Sequence, residues 1–149
     1  MSVLCLPPMM RAALVALRVQ TATLIEESIM PLKQLLYLST SILGLVVPWY
    51  FNFRFMDATQ TNLLSFDLAD FIRQGFANPA ASSLATDLVI GASAATLFIV
   101  FEGIRLKMKH WWIYIVLTNL LAFAFAFPLF LFVRERKLEA LKELQGSAT

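Results

Sequence analysis

Between Lys33 and Arg54 the chain runs for twenty residues without a charged side chain, and between His110 and Arg134 for twenty-three. A third charge-free run, of fourteen residues, separates Asp87 from Glu102. A helix crosses a hydrocarbon core with about 20 apolar residues. The two longer runs meet that length outright, and the third meets it if Asp87 and Glu102 stand near its ends. Only 15% of the residues are charged and 59% are hydrophobic, against roughly 25% charged in a soluble domain. The expectation is an all-α integral membrane protein with three transmembrane helices, at about 34–53, 80–104 and 111–133.

Net charge is +2, too small to suggest nucleic acid as a partner, and no basic tract is interleaved with aromatics. The single cysteine, Cys5, excludes an intrachain disulfide and a cysteine metal cluster. No Gly-rich phosphate loop, paired His/Glu metal spacing or nucleophile–base pattern occurs, so no enzyme is expected.

Residues 1–32 form a separate segment from the membrane domain, 33–149. In it Met10, Leu14, Leu17 and Leu24 recur at helical spacing while Arg11 and Arg18 share another face, and no acid precedes Glu26. That pattern reads as an amphipathic helix lying on a membrane surface, with a cleaved transit peptide as the alternative. Tyr37 and the Trp49–Tyr50–Phe51 cluster sit at opposite ends of the first span, where aromatic belts meet headgroups. Pro48 should kink or end that helix. A short interfacial helix follows, with Leu64, Leu68, Phe71 and Ile72 as its apolar stripe, Ser65 as its cap and Gly75 as a left-handed end. Asn78 then Pro79 is the expected cap and first turn of the second span.

On that span Asp87, Gly91, Ala95, Phe98 and Glu102 follow at intervals of 4, 4, 3 and 4 and share one face. Gly91 and Ala95 are a small-xxx-small pair suited to close helix–helix contact, and the two carboxylates mark the face as one that meets protein rather than lipid. Glu102 and Arg105, three apart, are expected to form an ion pair. That pair either secures a helix end at the headgroups or neutralises the acid and leaves an oxygen free for a ligand. His110, Asn119 and Asp87 are the other candidate ligands. His110 could act as an axial ligand or simply face water. Asn119 has four hydrogen-bonding sites to satisfy near the middle of the third span, as interhelical glue or as a ligand through its amide oxygen. In "LAFAFAFPLFLF" Phe123, Phe125, Phe127, Phe130 and Phe132 could face flat pigments or lipid tails, or only pack helices. Pro128 there frees the carbonyl of Ala124. Lys and Arg divide evenly if three spans are crossed: Arg11, Arg18, Lys33, Arg105, Lys107 and Lys109 against Arg54, Arg73, Arg134, Arg136, Lys137 and Lys142. The positive-inside rule then gives no orientation.

From about Leu35 onward, "PWYFNF", "FANPAASSLATDL", "FEGIRLKMKHWW" and "FAFPLFLFVRER" resemble, in order, the DUF2834 family of small cyanobacterial and algal membrane proteins. The arrangement is also similar to a PsaR-type peripheral subunit of algal photosystem I. The resemblance implies a thylakoid location and a non-enzymatic accessory subunit of a photosynthetic complex. Such a subunit would bind chlorophyll, through its magnesium, and carotenoid, contact lipids, and bridge photosystem I core to antenna. It carries over no functional residue. Two other functions stay open from the residues alone: a proton-coupled carrier or oligomeric membrane enzyme using Asp87 and Glu102, and a ligand-free structural anchor.

Overall fold

The computed structural model describes residues 7–146, and the side chains of all of these except 8, 23, 25–28 and 30. Cys5 lies outside the described residues, as does the side chain of Glu26. Five helices follow in order: α1 (Pro8–Thr59), α2 (Leu68–Gly75), α3 (Pro79–Arg105), α4 (Trp111–Leu120) and α5 (Phe123–Gly146). The chain divides into two units, Met1–Leu36 and Tyr37–Thr149. In the first unit Met10, Leu14, Leu17 and Leu24 are all exposed on helix.

Two helices are long and apolar enough to cross a membrane, Pro31–Thr59 within α1 and Pro79–Arg105. Pro48 does not end the first: helix continues to Thr59. A proline removes one ladder bond, to the carbonyl four residues back, and the intact turns on either side carry the helix through. The ends of α1 and α3 close in the same way. Thr61 donates to the Met56 carbonyl and Met108 to that of Gly103, each at 2.9 Å. The residues before them, Gln60 and Lys107, adopt φ of 54° and 51°. This six-to-one closure satisfies helix-end carbonyls and needs a left-handed residue, a place glycine usually takes.

Between these helices the Asn62 side chain accepts from the backbones of Leu64 and Ser65, and Ser65 Oγ accepts from the Asn62 backbone. Ser65 is thus committed to the turn. The cap of α2 is Asp67, which accepts from Asp70 N at 2.9 Å. Gly75 is not left-handed either; α2 closes at Phe76 with φ −113°. Arg73 donates to Asp70 and, with Gln74, holds its carboxyl below the usual carboxylate range. Phe71 packs its ring against Phe55 and Phe66, tying α2 to the end of α1. Asn78 caps α3 by accepting from Ala81 N at 2.9 Å, with Pro79 in the first turn.

The run 111–133 does not form a third straight crossing. Tyr114 and Phe130 lie sixteen residues apart, roughly 24 Å along one helix, yet their ring centroids are 5.3 Å apart. The chain reverses at residues 121–122. Leu121 and Ala122 both donate to the Leu117 carbonyl, while Phe125 and Ala126 both donate to that of Ala122, so neither ladder continues into the other. Helix α4 runs back alongside α3, and α5 then runs in the same direction as α3. Phe127 and Phe130 meet Phe98, and Arg134 reaches Glu102. The positive charges are therefore not divided as three crossings would divide them. Arg134, Arg136, Lys137 and Lys142 belong to the same end of the second unit as Arg105, Lys107 and Lys109.

The hairpin is fixed from below by α1. Pro128 cannot donate to the Ala124 carbonyl, and that carbonyl faces Gly44, where an added β-carbon would lie 2.0 Å from the oxygen. One turn away Ser41 Oγ donates to the Phe125 carbonyl at 3.0 Å and is 1% exposed.

Candidate functional site

Helix α3 brings Glu102 to its last turn, and the reversal brings Arg134 back beside it. Glu102 is 8% exposed. Its Oε2 accepts from Arg105 Nε, and its Oε1 from Arg105 Nη2 and Arg134 Nε, all at 2.6 Å. Arg134 passes its other arm, Nη1, to Glu135 at 2.5 Å and lies 5.9 Å over the Phe98 ring. Two carboxylates and two guanidiniums thus form a neutral network closing the end of the α3–α5 packing. Charge-assisted bonds of this kind are the strong ones, and every member that is buried has a counterpart, as burial of charge requires. Gly103, beside Glu102, has no room for a side chain: its β-carbon would come within 2.4 Å of Trp111 Cβ. That close approach lets α4 start against α3.

The Glu102–Arg105 pair is present, but it leaves no carboxylate oxygen over, since Arg134 takes a share of Oε1. Both oxygens of Glu102 are thus already engaged by guanidinium donors. Arg134 and Glu135 were not singled out from the sequence because nothing in it shows the reversal that brings them to Glu102.

The remaining candidates are scattered. Asn119 is exposed and turns its Nδ2 to the Ile115 carbonyl of its own helix at 2.8 Å, leaving Oδ1 without a donor among the described residues. It bonds along α4 and joins no second helix. His110 is exposed at the start of α4 and makes no side-chain cap bond. Along α3 the shared face splits in two. Ala95 is buried and Phe98 meets the hairpin, whereas Gly91 has nothing within 4 Å of a β-carbon position. Asp87 is exposed and has no hydrogen bond or ion pair among the described residues.

These features define a small all-helical protein with two span-length apolar helices and an ion-paired helical hairpin. The chain belongs to the DUF2834 family, described as proteins of unknown function, whose model matches residues 36–136. No curated protein and no solved structure matches it.

Proposed function

We propose that this chain is a non-enzymatic accessory subunit of a larger membrane protein complex, embedded by its two span-length helices. The observation that carries the reading is Asp87. It stands about 12 Å along α3 from Pro79, on a helix long and apolar enough to cross a membrane, exposed and without a partner among the described residues. A lipid-facing carboxylate is unfavourable by about 3 kcal/mol at the middle of a span on insertion scales and by less at the depth of Asp87, about a third of the way along α3. A neighbouring subunit that supplies a donor removes that penalty. The open space over Gly91, one turn on, admits the close approach of a partner helix. Leu84, Leu88, Val89, Ile90 and Leu97 are exposed around the same helix, a surface that suits lipid or protein but not water. The carrier alternative needs Glu102 to exchange protons, and its oxygens already hold three donors.

As the particular complex we propose photosystem I of a thylakoid membrane, with chlorophyll and carotenoid against the aromatic hairpin. Its support is the resemblance drawn from the four sequence stretches. The open Oδ1 of Asn119, the exposed His110 and Asp87 are available as magnesium ligands, while both oxygens of Glu102 already hold guanidiniums. When bound, chlorophyll would supply light absorption and energy transfer, and this chain's residues would only hold and orient it.

The test is a gradient separation of solubilised membranes. The chain is expected to co-migrate with a larger complex, and Asp87→Leu to abolish co-migration without lowering the melting temperature of the purified chain. Full co-migration of Asp87→Leu would count against the reading. A chain that migrates apart from photosystem I and without pigment overturns the finer proposal.

The hairpin adds a topological expectation. In a Cys5→Ser background, Lys109→Cys and Lys137→Cys should react with an impermeant maleimide from one side of sealed vesicles, and Thr61→Cys only from the other. If position 137 labels together with position 61, residues 111–133 cross as one helix and the reversal is wrong. Seven cations, Arg105, Lys107, Lys109, Arg134, Arg136, Lys137 and Lys142, stand at the hairpin end against Arg54 and Arg73 at the opposite end. The positive-inside rule thus places the hairpin end on the cytoplasmic side or its organellar equivalent.

A further inference from the structure

We infer that the hairpin end of the second unit is a binding surface for anionic lipid headgroups, an inference that rests on the membrane reading above. The reversal at residues 121–122 gathers cations from two segments far apart in sequence, the turn after α3 and the emerging part of α5. Two of them, Arg105 and Arg134, are neutralised by Glu102 and Glu135. Lys107, Lys109, Arg136 and Lys137 are exposed and have no carboxylate partner among the described residues. Arg136 rests 5.9 Å over the Phe132 ring, which fixes the guanidinium without lowering its charge. Glu139 and Glu143 lie one and two turns further out along α5 and do not pair with these four.

What lies below the cations selects lipid over a soluble anion or an acidic protein. On α3 Phe101 and Ile104 are 70% and 58% exposed, within about two turns beneath the turn that carries Lys107 and Lys109. Trp112 is exposed at the start of α4, an indole suited to the headgroup level. Acyl chains against Phe101 and Ile104 bring a phosphate to the height of the lysines. A cationic rim over an exposed apolar wall matches both halves of one molecule. Near an anionic surface each such cation contributes about a fivefold gain in affinity, and the gain declines with salt over a Debye length of roughly 10 Å.

The full chain is reconstituted into phosphatidylcholine bilayers containing a minor fraction of brominated phosphatidylglycerol or, in parallel, brominated phosphatidylcholine, and indole quenching is read. Phosphatidylglycerol is expected to quench more strongly, and raising salt to reduce the excess. The variant carrying Lys107→Gln, Lys109→Gln, Arg136→Gln and Lys137→Gln should lose the excess, about fivefold in relative affinity per cation removed. Arg54→Gln with Arg73→Gln, at the other end, should keep it. Equal quenching by the two lipids, or an excess that survives the fourfold variant, overturns the inference. So does its displacement by inorganic phosphate at constant ionic strength, which would assign the site to a free anion. A chain that fails to enter bilayers at all refutes the membrane reading instead, so the two failures are separable.

Discussion

Replacing Glu102 with leucine is expected to lower unfolding free energy by about 2 kcal/mol, read as a reduced melting temperature in mild detergent. Removing one partner of a buried ion pair typically destabilises by about 3–5 kcal/mol because the other charge stays buried. The lower figure follows from what each guanidinium can still do. The Arg105 side chain is 59% exposed and turns to water or headgroups, so Arg105→Leu should have a much smaller effect than Glu102→Leu. Arg134 is 23% exposed and cannot leave Phe98, but it keeps Glu135. Most of the loss therefore belongs to the Glu102–Arg134 contact, and the double variant with Arg134→Leu should show a coupling of about 1–2 kcal/mol. Additive single effects would mean that the network does not join α3 to α5.

The parts of this fold that were legible in the sequence depend on local chemistry. The charge-free run after Lys33 and the Asn78–Pro79 start of α3 mark helices whose signals lie within a few residues of the event. Positions of left-handed backbone were less legible, because Gln60 and Lys107 close their helices where glycine was the expected sign, while Gly75 did not. The run 111–133 was misread for a physical reason. Hydropathy records how apolar a stretch is and not which way it travels, so twenty-three uncharged residues look alike as one crossing or as a hairpin. The reversal falls at Leu121–Ala122, between two ordinary helix formers, with no glycine or proline in it. Pro128 is six residues beyond and betrays itself only through the carbonyl it leaves free. Once the reversal is missed, so is Arg134 as a partner for Glu102, and so is the concentration of cations at one end. Glu102 with Arg105 was legible because i,i+3 pairing on a helix requires no knowledge of the fold.

The freed carbonyl leads to the second large effect, at Gly44. Helix propensity alone favours alanine over glycine by about 0.5–1 kcal/mol, so Gly44→Ala should stabilise α1 if nothing stood against it. Here the new β-carbon would lie 2.0 Å from the Ala124 oxygen and 2.4 Å from its carbon. Both are backbone atoms, so no side-chain rotation relieves the clash and α5 must shift. Overpacking of this kind destabilises by about 1–3 kcal/mol, which outweighs the propensity gain; the expected net result is a loss of about 2 kcal/mol, and more for Gly44→Val. Gly91 supplies the control on the other long helix. Nothing lies within 4 Å of its β-carbon position, so Gly91→Ala should leave the purified chain unchanged or more stable by up to about 1 kcal/mol. Opposite signs at these two glycines, read from melting temperatures, are the signature of a hairpin pressed onto α1 through the carbonyl that Pro128 releases. Ser41→Ala, which removes the adjacent bond to the Phe125 carbonyl, should lower stability by about 1 kcal/mol. If Gly44→Ala instead stabilises as Gly91→Ala does, α1 does not hold the hairpin, and the folded-back arrangement of α4 and α5 loses its footing.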